Sequence, residues 1–467
     1  MDAGIMGLTE DVARFIARST LKDMPSEASE KARKVIADTF AVMLAGAGSE
    51  VSGPLLRYIR ESGDTGRTPV LGTNVTASRE TAALVNGTFG HALDFDDVLS
   101  MMPAHPSAVI LAAMLASAAG RRLSGKRLIE SYVVGIEVGA RIGEAMTVGH
   151  YNRGYHGTGT LGLFSAMGAM CKLHGLDVET TRTAFGIASS TASGLRRNFG
   201  TMTKPLHTGW AARSAVTATT LAQCGFTAAP DVLEAKAGFF QTYGVAESDP
   251  QAAARALGTT WVIVDPGIAL KRFPCCYASH RGMDGVLTLR DKLRFTADTL
   301  ASLECRMPPG GMHVLIYPGP RTGLEGKFSL QYSLAAGVLD GAYSLWSFSD
   351  EAVHRPEIKR LLGIVNAHED PRCADNDPLL HTRSSGSRGY VEVEARTVDG
   401  RCQTVRIDRA PGHPERELTW QELHGKFIDC ARHAALDAAK AESAFERLTR
   451  LDRCEDIGEV VALLVKR

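Results

Sequence analysis

Three aspartates and two histidines fall within fifteen residues of this chain, in His91-Ala92-Leu93-Asp94-Phe95-Asp96-Asp97 and, eight residues on, His105-Pro106-Ser107. The flanking stretches, residues 80–90 and 107–120, read as apolar helices, so the cluster lies where a helix breaks. Charge is costly to bury unless it is paired or used. Acids and imidazoles at such a break are suited to moving protons. Two other readings of the same residues stay open: carboxylates around a divalent metal, and aspartates capping a solvated helix end.

Three further segments carry candidate chemistry. Gly154-Tyr155-His156-Gly157-Thr158-Gly159 places a histidine in a glycine-rich helix start, where free backbone N–H groups suit an anion. It lacks the lysine of a phosphate-binding loop and follows no clear strand, which argues against a nucleotide. Lys204-Pro205 precedes a helical pattern, and its ammonium is placed to hold a substrate carboxylate, with Arg196 and Arg197 close in sequence. Lys271-Arg272-Phe273-Pro274-Cys275-Cys276-Tyr277-Ala278-Ser279-His280 sets cations, thiols and an imidazole before another helix. A Cys–His nucleophile is one reading of it, and a buried unreactive thiol is the other. Tyr317, ahead of Pro318-Gly319-Pro320, offers a phenol.

The elements that must position these groups are mostly helical. Residues 26–45 space Val35, Ile36, Phe40, Met43 and Leu44 at helical intervals, and residues 124–146, 159–173 and 210–224 repeat the pattern. Small residues in 162–169 and 211–220 predict closely packed helices. From about residue 259 the pattern changes. Residues 261–264, 300–306 and 313–317 read as strands. Residues 390–396 and 403–407 read as a hairpin around Asp399-Gly400. Helical pattern at 280–292 and 328–342 makes this region α+β, and 370–388 reads as an exposed connection. Helix returns at 420–434, 438–451 and 457–465. The predicted fold class is mainly α: a large all-helical domain formed by the N- and C-terminal segments (1–262 and 410–467), with a smaller α+β lid domain inserted (263–409). A cleft between two such domains is a common place for a small-molecule site.

Lysine plus arginine and aspartate plus glutamate both number 52, so no basic excess points to nucleic acid. No apolar run reaches the roughly 18–20 residues of a bilayer span. The start of the chain, with Asp2, Glu10 and Asp11, lacks a secretory pattern. The nine cysteines form no Cys-x-x-Cys pair, which argues against a zinc site of that type. Reduced thiols in a cytoplasmic protein are the expectation.

Taken together, HALDFDD with HPS, GYHGTGTLG, GTMTKPLHTG, FPCCYASH and GKFSLQY (326–332) resemble the MmgE/PrpD family, in the family's order and over nearly the whole chain. That family includes 2-methylcitrate dehydratases, cis-aconitate decarboxylases and an iminodisuccinate epimerase. The resemblance implies a helical domain with an α+β lid, a site between them, a homodimer, and no metal or organic cofactor. By motif it assigns Asp94, His105, His156, Lys204, His280 and Tyr317 to the site. The chain carries Phe95-Asp96-Asp97 where the methylcitrate dehydratases have a Trp-Asn-Asp type of sequence. It has Val98 where the decarboxylase-like motif carries a threonine. The choice among reactions therefore stays open.

The expected function is a cofactor-independent lyase or isomerase that abstracts a proton next to a carboxylate of a small di- or tricarboxylate. An iminodisuccinate-type epimerase, a cis-aconitate-type decarboxylase and a non-catalytic ligand-binding dimer are the alternatives. Lys204 would stabilise the developing carbanion charge, with Lys271 or Arg272 helping to bind substrate. His105 and His156 would carry protons, with His280 on the opposite face, and Asp94 would orient an imidazole.

Overall fold

The computed structural model describes residues 7–378 and 380–466; Asp2 lies outside them. Helix accounts for 58% and strand for 8%, a mainly α chain with a small α+β part. It divides into two compact units, one of residues 1–197, 202–268 and 419–467 and one of residues 198–201 and 269–418.

The first unit is a helical assembly around the apolar Pro106–Ala118 helix, whose residues from Pro106 to Ser117 are all buried. A helix apolar on every side must be covered on every side. The helices Ser26–Ala47, Arg79–His91, Gly125–Asn152, Gly157–His174 and Thr203–Gln223 all pack on it. Of the small residues expected to allow close packing, Gly168 does so, since a Cβ there would lie 3.0 Å from that of Val138 and 3.2 Å from Gly135 Cα, and glycines outside the expected stretches act likewise. A Cβ on Gly90 would lie 2.7 Å from that of Ala108, and one on Gly209 would meet the Leu84 carbonyl at 2.1 Å. The Gly125–Asn152 run is broken at Thr147, whose φ of 61° is not helical. The Thr203–Gln223 helix begins two turns before the predicted start at Trp210 and takes in Lys204 and Pro205, since proline is tolerated in a first turn that has no intrahelical N–H partners. Among the described residues no single helix is long and apolar enough to cross a membrane.

The second unit holds a four-stranded sheet in the order Val365–Glu369, Leu300–Met307, Val391–Thr397, Cys402–Ile407. The first pair is parallel and the others are antiparallel. Val391, Val393 and Ala395 point inward, as alternation predicts, and Gly400 turns the hairpin at a φ of 89°. Two expected strands are absent. Residues 261–264 belong instead to a short helical turn that includes Ile263–Gly267, and 313–317 leave a turn at Val314 and run on as irregular chain without ladder partners. β-branched content there reflects burial of Val262, Ile263 and Val314 rather than pairing. The 370–388 connection is not wholly exposed, since Cys373, Leu380, Ser385 and Arg388 are buried.

The Trp420–His433 helix, from the far end of the sequence, inserts Lys426 into the first unit. Its Nζ lies 2.7 Å from Asp38 Oδ1 on the Ser26–Ala47 helix and donates to the Phe95 carbonyl at 2.8 Å. It also sits 3.8 Å from the Phe95 ring centroid. Removing one partner of a buried pair leaves the other charge uncompensated, at about 3–5 kcal/mol. Lys426→Met should therefore lose about that much in denaturant titration, and Lys426→Met with Asp38→Leu should regain most of it. A single variant as stable as the parent would show that the pair contributes no such stability.

Candidate active site

At the end of the Arg79–His91 helix the chain turns through Asp94 at a φ of 51°, a left-handed conformation that short polar side chains tolerate. The turn brings Asp94, Asp96 and Asp97 into the interior of the first unit, all buried. Each carboxylate meets different chemistry there.

Asp94 Oδ1 lies 2.8 Å from Lys204 Nζ, and both side chains are only 5% exposed. Asp96 receives His91 Nδ1 at 2.8 and 3.0 Å and stands 3.7 Å from His105 Nδ1. Asp97 accepts from Ser107 Oγ at 2.6 Å, and that oxygen is 2.7 Å from the Tyr132 hydroxyl. Burial, and then the neighbouring Asp96, holds the Asp97 carboxyl well above the usual carboxylate range, so its protonated form is favoured.

His105 stands at the cap of the Pro106–Ala118 helix, with Pro106 in the first helical position. Its Nδ1 is 2.6 Å from the Asp97 carbonyl oxygen. A carbonyl only accepts, so Nδ1 carries the proton, and the neutral ring presents a lone pair at Nε2. The His105 backbone N–H donates to Thr158 Oγ1 of the Gly157–His174 helix at 3.1 Å, joining two helix starts.

His156 caps that second helix. Its segment pairs with a neighbouring loop: Tyr155 and Leu195 form an antiparallel bridge, and the His156 N–H donates to the Gly194 carbonyl at 3.0 Å. The ring lies 5.6 Å from that of His91, which is 4.5 Å from that of His105. Its Nδ1 is 3.0 Å from His207 Nδ1. Burial, followed by the Lys204 charge, pushes His156 well below the usual histidine range, and the same causes hold His207 at about 4.

The ligand atoms of His91, Asp94, Asp96 and His105 lie within 4.8 Å of one another, a spacing that admits a metal ion. The Lys204 ammonium already supplies a cation at Asp94.

The other predicted site residues lie in the second unit. His280 opens the His280–Leu293 helix, buried between the Phe273 and Tyr277 rings, and its Nε2–H donates to the Cys275 carbonyl at 3.3 Å. Cys275 Sγ packs 3.4 Å from Met283 Sδ. Two of the recognised motifs brace each other: Lys327 Nζ donates to the Pro274 carbonyl at 2.9 Å, and the Cys276 N–H donates to the Lys327 carbonyl at 3.0 Å. Lys271 is fully buried and Arg272 is exposed. The Tyr317 hydroxyl donates to the Phe199 carbonyl at 3.1 Å, and its ring leaves no room for a Cβ on Gly200, where φ is +83°.

Sequence reasoning passed over His207 and Lys426 as members of this arrangement. His207 stood inside a quoted motif, and a helix beginning at Thr203 puts it one turn from Lys204. Lys426 had no local signal.

The depressed imidazoles have a consequence for stability. An unfolded His207 titrates near its ordinary 6.5 and the folded one at about 4. Between these values the unfolded chain binds more protons, so stability falls as pH drops from 6.5 towards 4, and His156 acts in the same direction. The thermal midpoint at fixed scan rate should fall across that window, and less steeply in His207→Asn. Equal slopes would show that His207 is not held neutral by the fold.

The N-terminal domain model of the MmgE/PrpD family matches residues 10–251, and its C-terminal domain model matches residues 273–451. The cis-aconitate decarboxylase of Mus musculus is 28% identical over 98% of this chain and 94% of its own length. That of Homo sapiens is also 28% identical, over 98% and 95%. That of Aspergillus terreus is 26% identical, over 98% and 96%. With family models spanning most of its length, and with their motifs gathered around one buried cluster in each unit, the chain belongs to the MmgE/PrpD family.

Proposed function

We propose that this enzyme is a lyase that breaks a bond next to a carboxylate of a small tricarboxylate, with decarboxylation of cis-aconitate or a close analogue as its reaction. The observation that carries the reading is the buried Lys204–Asp94 pair among His91, His105 and His156. The relatives named cis-aconitate decarboxylase support the substrate class.

The chemistry follows from the charges. When a carboxyl group leaves as CO2, the electron pair of the broken C–C bond spreads over the adjoining double bond towards a neighbouring carboxylate. A cation fixed where that charge grows lowers the barrier selectively. Lys204 is that cation. It sits in the first turn of its helix, and His105 and His156 stand at the starts of two others. The positive ends of three helix dipoles thus add to the ammonium, and an anionic substrate enters a field that favours it. An imidazole N–H then delivers the proton that completes the product. His156 is suited to that step, and His105, with its lone pair at Nε2, to taking a proton up. Asp94 fixes the ammonium, and Asp96 fixes His91. Motif resemblance assigns Tyr317 and His280 to the family's site, and Lys271 and Arg272 are the further cations of the second unit assigned to substrate binding.

Proton NMR in D2O on cis-aconitate, citrate, 2-methylcitrate and iminodisuccinate tests this directly. The expected result is loss of the cis-aconitate signals with one new product and CO2 release. Deuterium uptake without a new compound would make the protein an epimerase, and silence across the set from folded protein would remove the reading. Lys204→Ala should lower kcat/KM by at least about 10²-fold with an unchanged fold, and His105→Ala by about 10²–10⁴-fold. A Lys204→Ala variant that keeps most of its turnover would exclude the ammonium from the chemistry. Activity should survive exhaustive chelation. Loss that a divalent ion restores would instead assign a metal to His91, Asp94, Asp96 and His105.

A further inference from the structure

We propose that His207 is a positioning residue for His156: the Nδ1···Nδ1 hydrogen bond between the two rings decides which nitrogen of His156 is protonated, and it passes a proton between the rings during turnover. This rests on the reading of His156 as a proton-transfer group.

An N···N contact of 3.0 Å needs one N–H and one lone pair. Neither ring is readily charged, because both are buried beside Lys204. A pair of neutral imidazoles joined through Nδ1 therefore has two arrangements. If His207 donates, His156 holds its own proton at Nε2 and is an acid there. If His156 donates, its Nε2 is bare and is a base there. The switch needs no change of net charge in the resting pair, only the opposite tautomer on each ring.

The proton balance in a turnover is simple. A proton arriving at His156 Nε2 is matched by transfer of the His156 Nδ1 proton to His207 Nδ1, which leaves His156 neutral and His207 transiently cationic. Burial, and then the Lys204 charge one turn away on the same helix, make that cation short-lived. The proton returns the same way when His156 acts as an acid. The titratable and charged groups facing the pair are the Lys204 ammonium and, through His156, the His91 and His105 rings.

The pairing is built into the backbone. Gly194 has a φ of +136°, its carbonyl holds the His156 N–H, and a Cβ there would stand 3.2 Å from His207 Cγ and Nδ1 and 3.4 Å from His156 Cβ. A Cβ on Gly159 would meet the Ser193 carbonyl at 2.2 Å and His207 Cβ at 3.2 Å. Both glycines let this loop and the two helices close on the imidazoles, leaving the rings little freedom to part.

The test compares the wild-type enzyme with His207→Asn and His207→Phe. Asparagine places an amide near the Nδ1 position, so it can hold His156 by donating or accepting but cannot relay a proton. Phenylalanine can do neither. Nitrogen-15 NMR of the histidine rings reads the His156 tautomer without any need for activity. The expected result is a shared Nδ1 proton in wild type, a changed His156 tautomer in His207→Phe, and a single fixed tautomer in His207→Asn. With cis-aconitate, kcat should fall about 10–100-fold in His207→Phe, with KM within about threefold, and recover in part in His207→Asn. A folded His207→Phe with wild-type kcat, or with an unchanged His156 tautomer, overturns the proposal. A changed tautomer together with an inactive wild type on every acid tested would leave the coupling standing and remove the catalytic reading instead.

Discussion

Four carboxylates, those of Asp38, Asp94, Asp96 and Asp97, lie inside a helical core, and the rest of the first unit is arranged to make that tolerable. An isolated buried carboxylate is prohibitively unstable. Each of the four is answered by a different means. Lys426 meets Asp38, Lys204 meets Asp94, an imidazole meets Asp96, and a hydroxyl together with a favoured proton meets Asp97. The compensating groups come from sequence positions up to several hundred residues apart. The loop between His91 and His105 is thus held by groups on helices from both ends of the chain. A buried pair on that scale is poor evidence of net stability.

The helices meet this demand by closeness rather than by bulk. Glycines and alanines on the Arg79–His91, Pro106–Ala118, Gly157–His174 and Thr203–Gln223 helices bring backbones together where larger side chains would hold them apart. Met102, in the loop itself, is seated because Gly143 opposite it has no side chain; a Cβ there would lie 2.2 Å from that of Met102. Three of these helices begin at or beside His105, His156 and Lys204. The same geometry that packs the bundle therefore points three helix starts, three polar side chains and their shared positive field at one place.

Much of this was legible in the sequence, and the reasons for the remainder are physical. Helical periodicity located the Ser26–Ala47 and His280–Leu293 helices to within two residues, and the alternation around Asp399-Gly400 gave the hairpin. The cluster between His91 and His105 stood out because charge at a break between apolar helices is unusual in any fold. Periodicity misled where burial imitates pairing. The run from Trp261 to Val264 has the composition of a strand, but no ladder partner comes near, and local composition carries no record of partners. It was also silent on His207 and Lys426. A helix start two turns earlier than apolar spacing implied was needed to place His207, and Lys426 acts over 331 residues of sequence on the Phe95 carbonyl. Contacts of that range are fixed by the assembled bundle and leave no trace in any short window.

The two proton-carrying imidazoles of the proposed site differ in one respect that bears on which reaction the frame performs. His105 is bonded at Nδ1 to a carbonyl, an acceptor that can never donate, so its neutral form has one tautomer and its Nε2 is a base. His156 is bonded at Nδ1 to another imidazole, a partner able to do either. One ring is thereby fixed and the other reversible. Proton removal alone needs only the fixed base. Delivery of a proton to the carbanion left when CO2 departs needs an acid that is neutral beside an ammonium, which His156 becomes only when its partner donates. A site limited to abstraction would gain nothing from the second arrangement. The presence of both, facing one buried cation, fits a reaction in which bond cleavage next to a carboxylate is completed by protonation within the same enclosure.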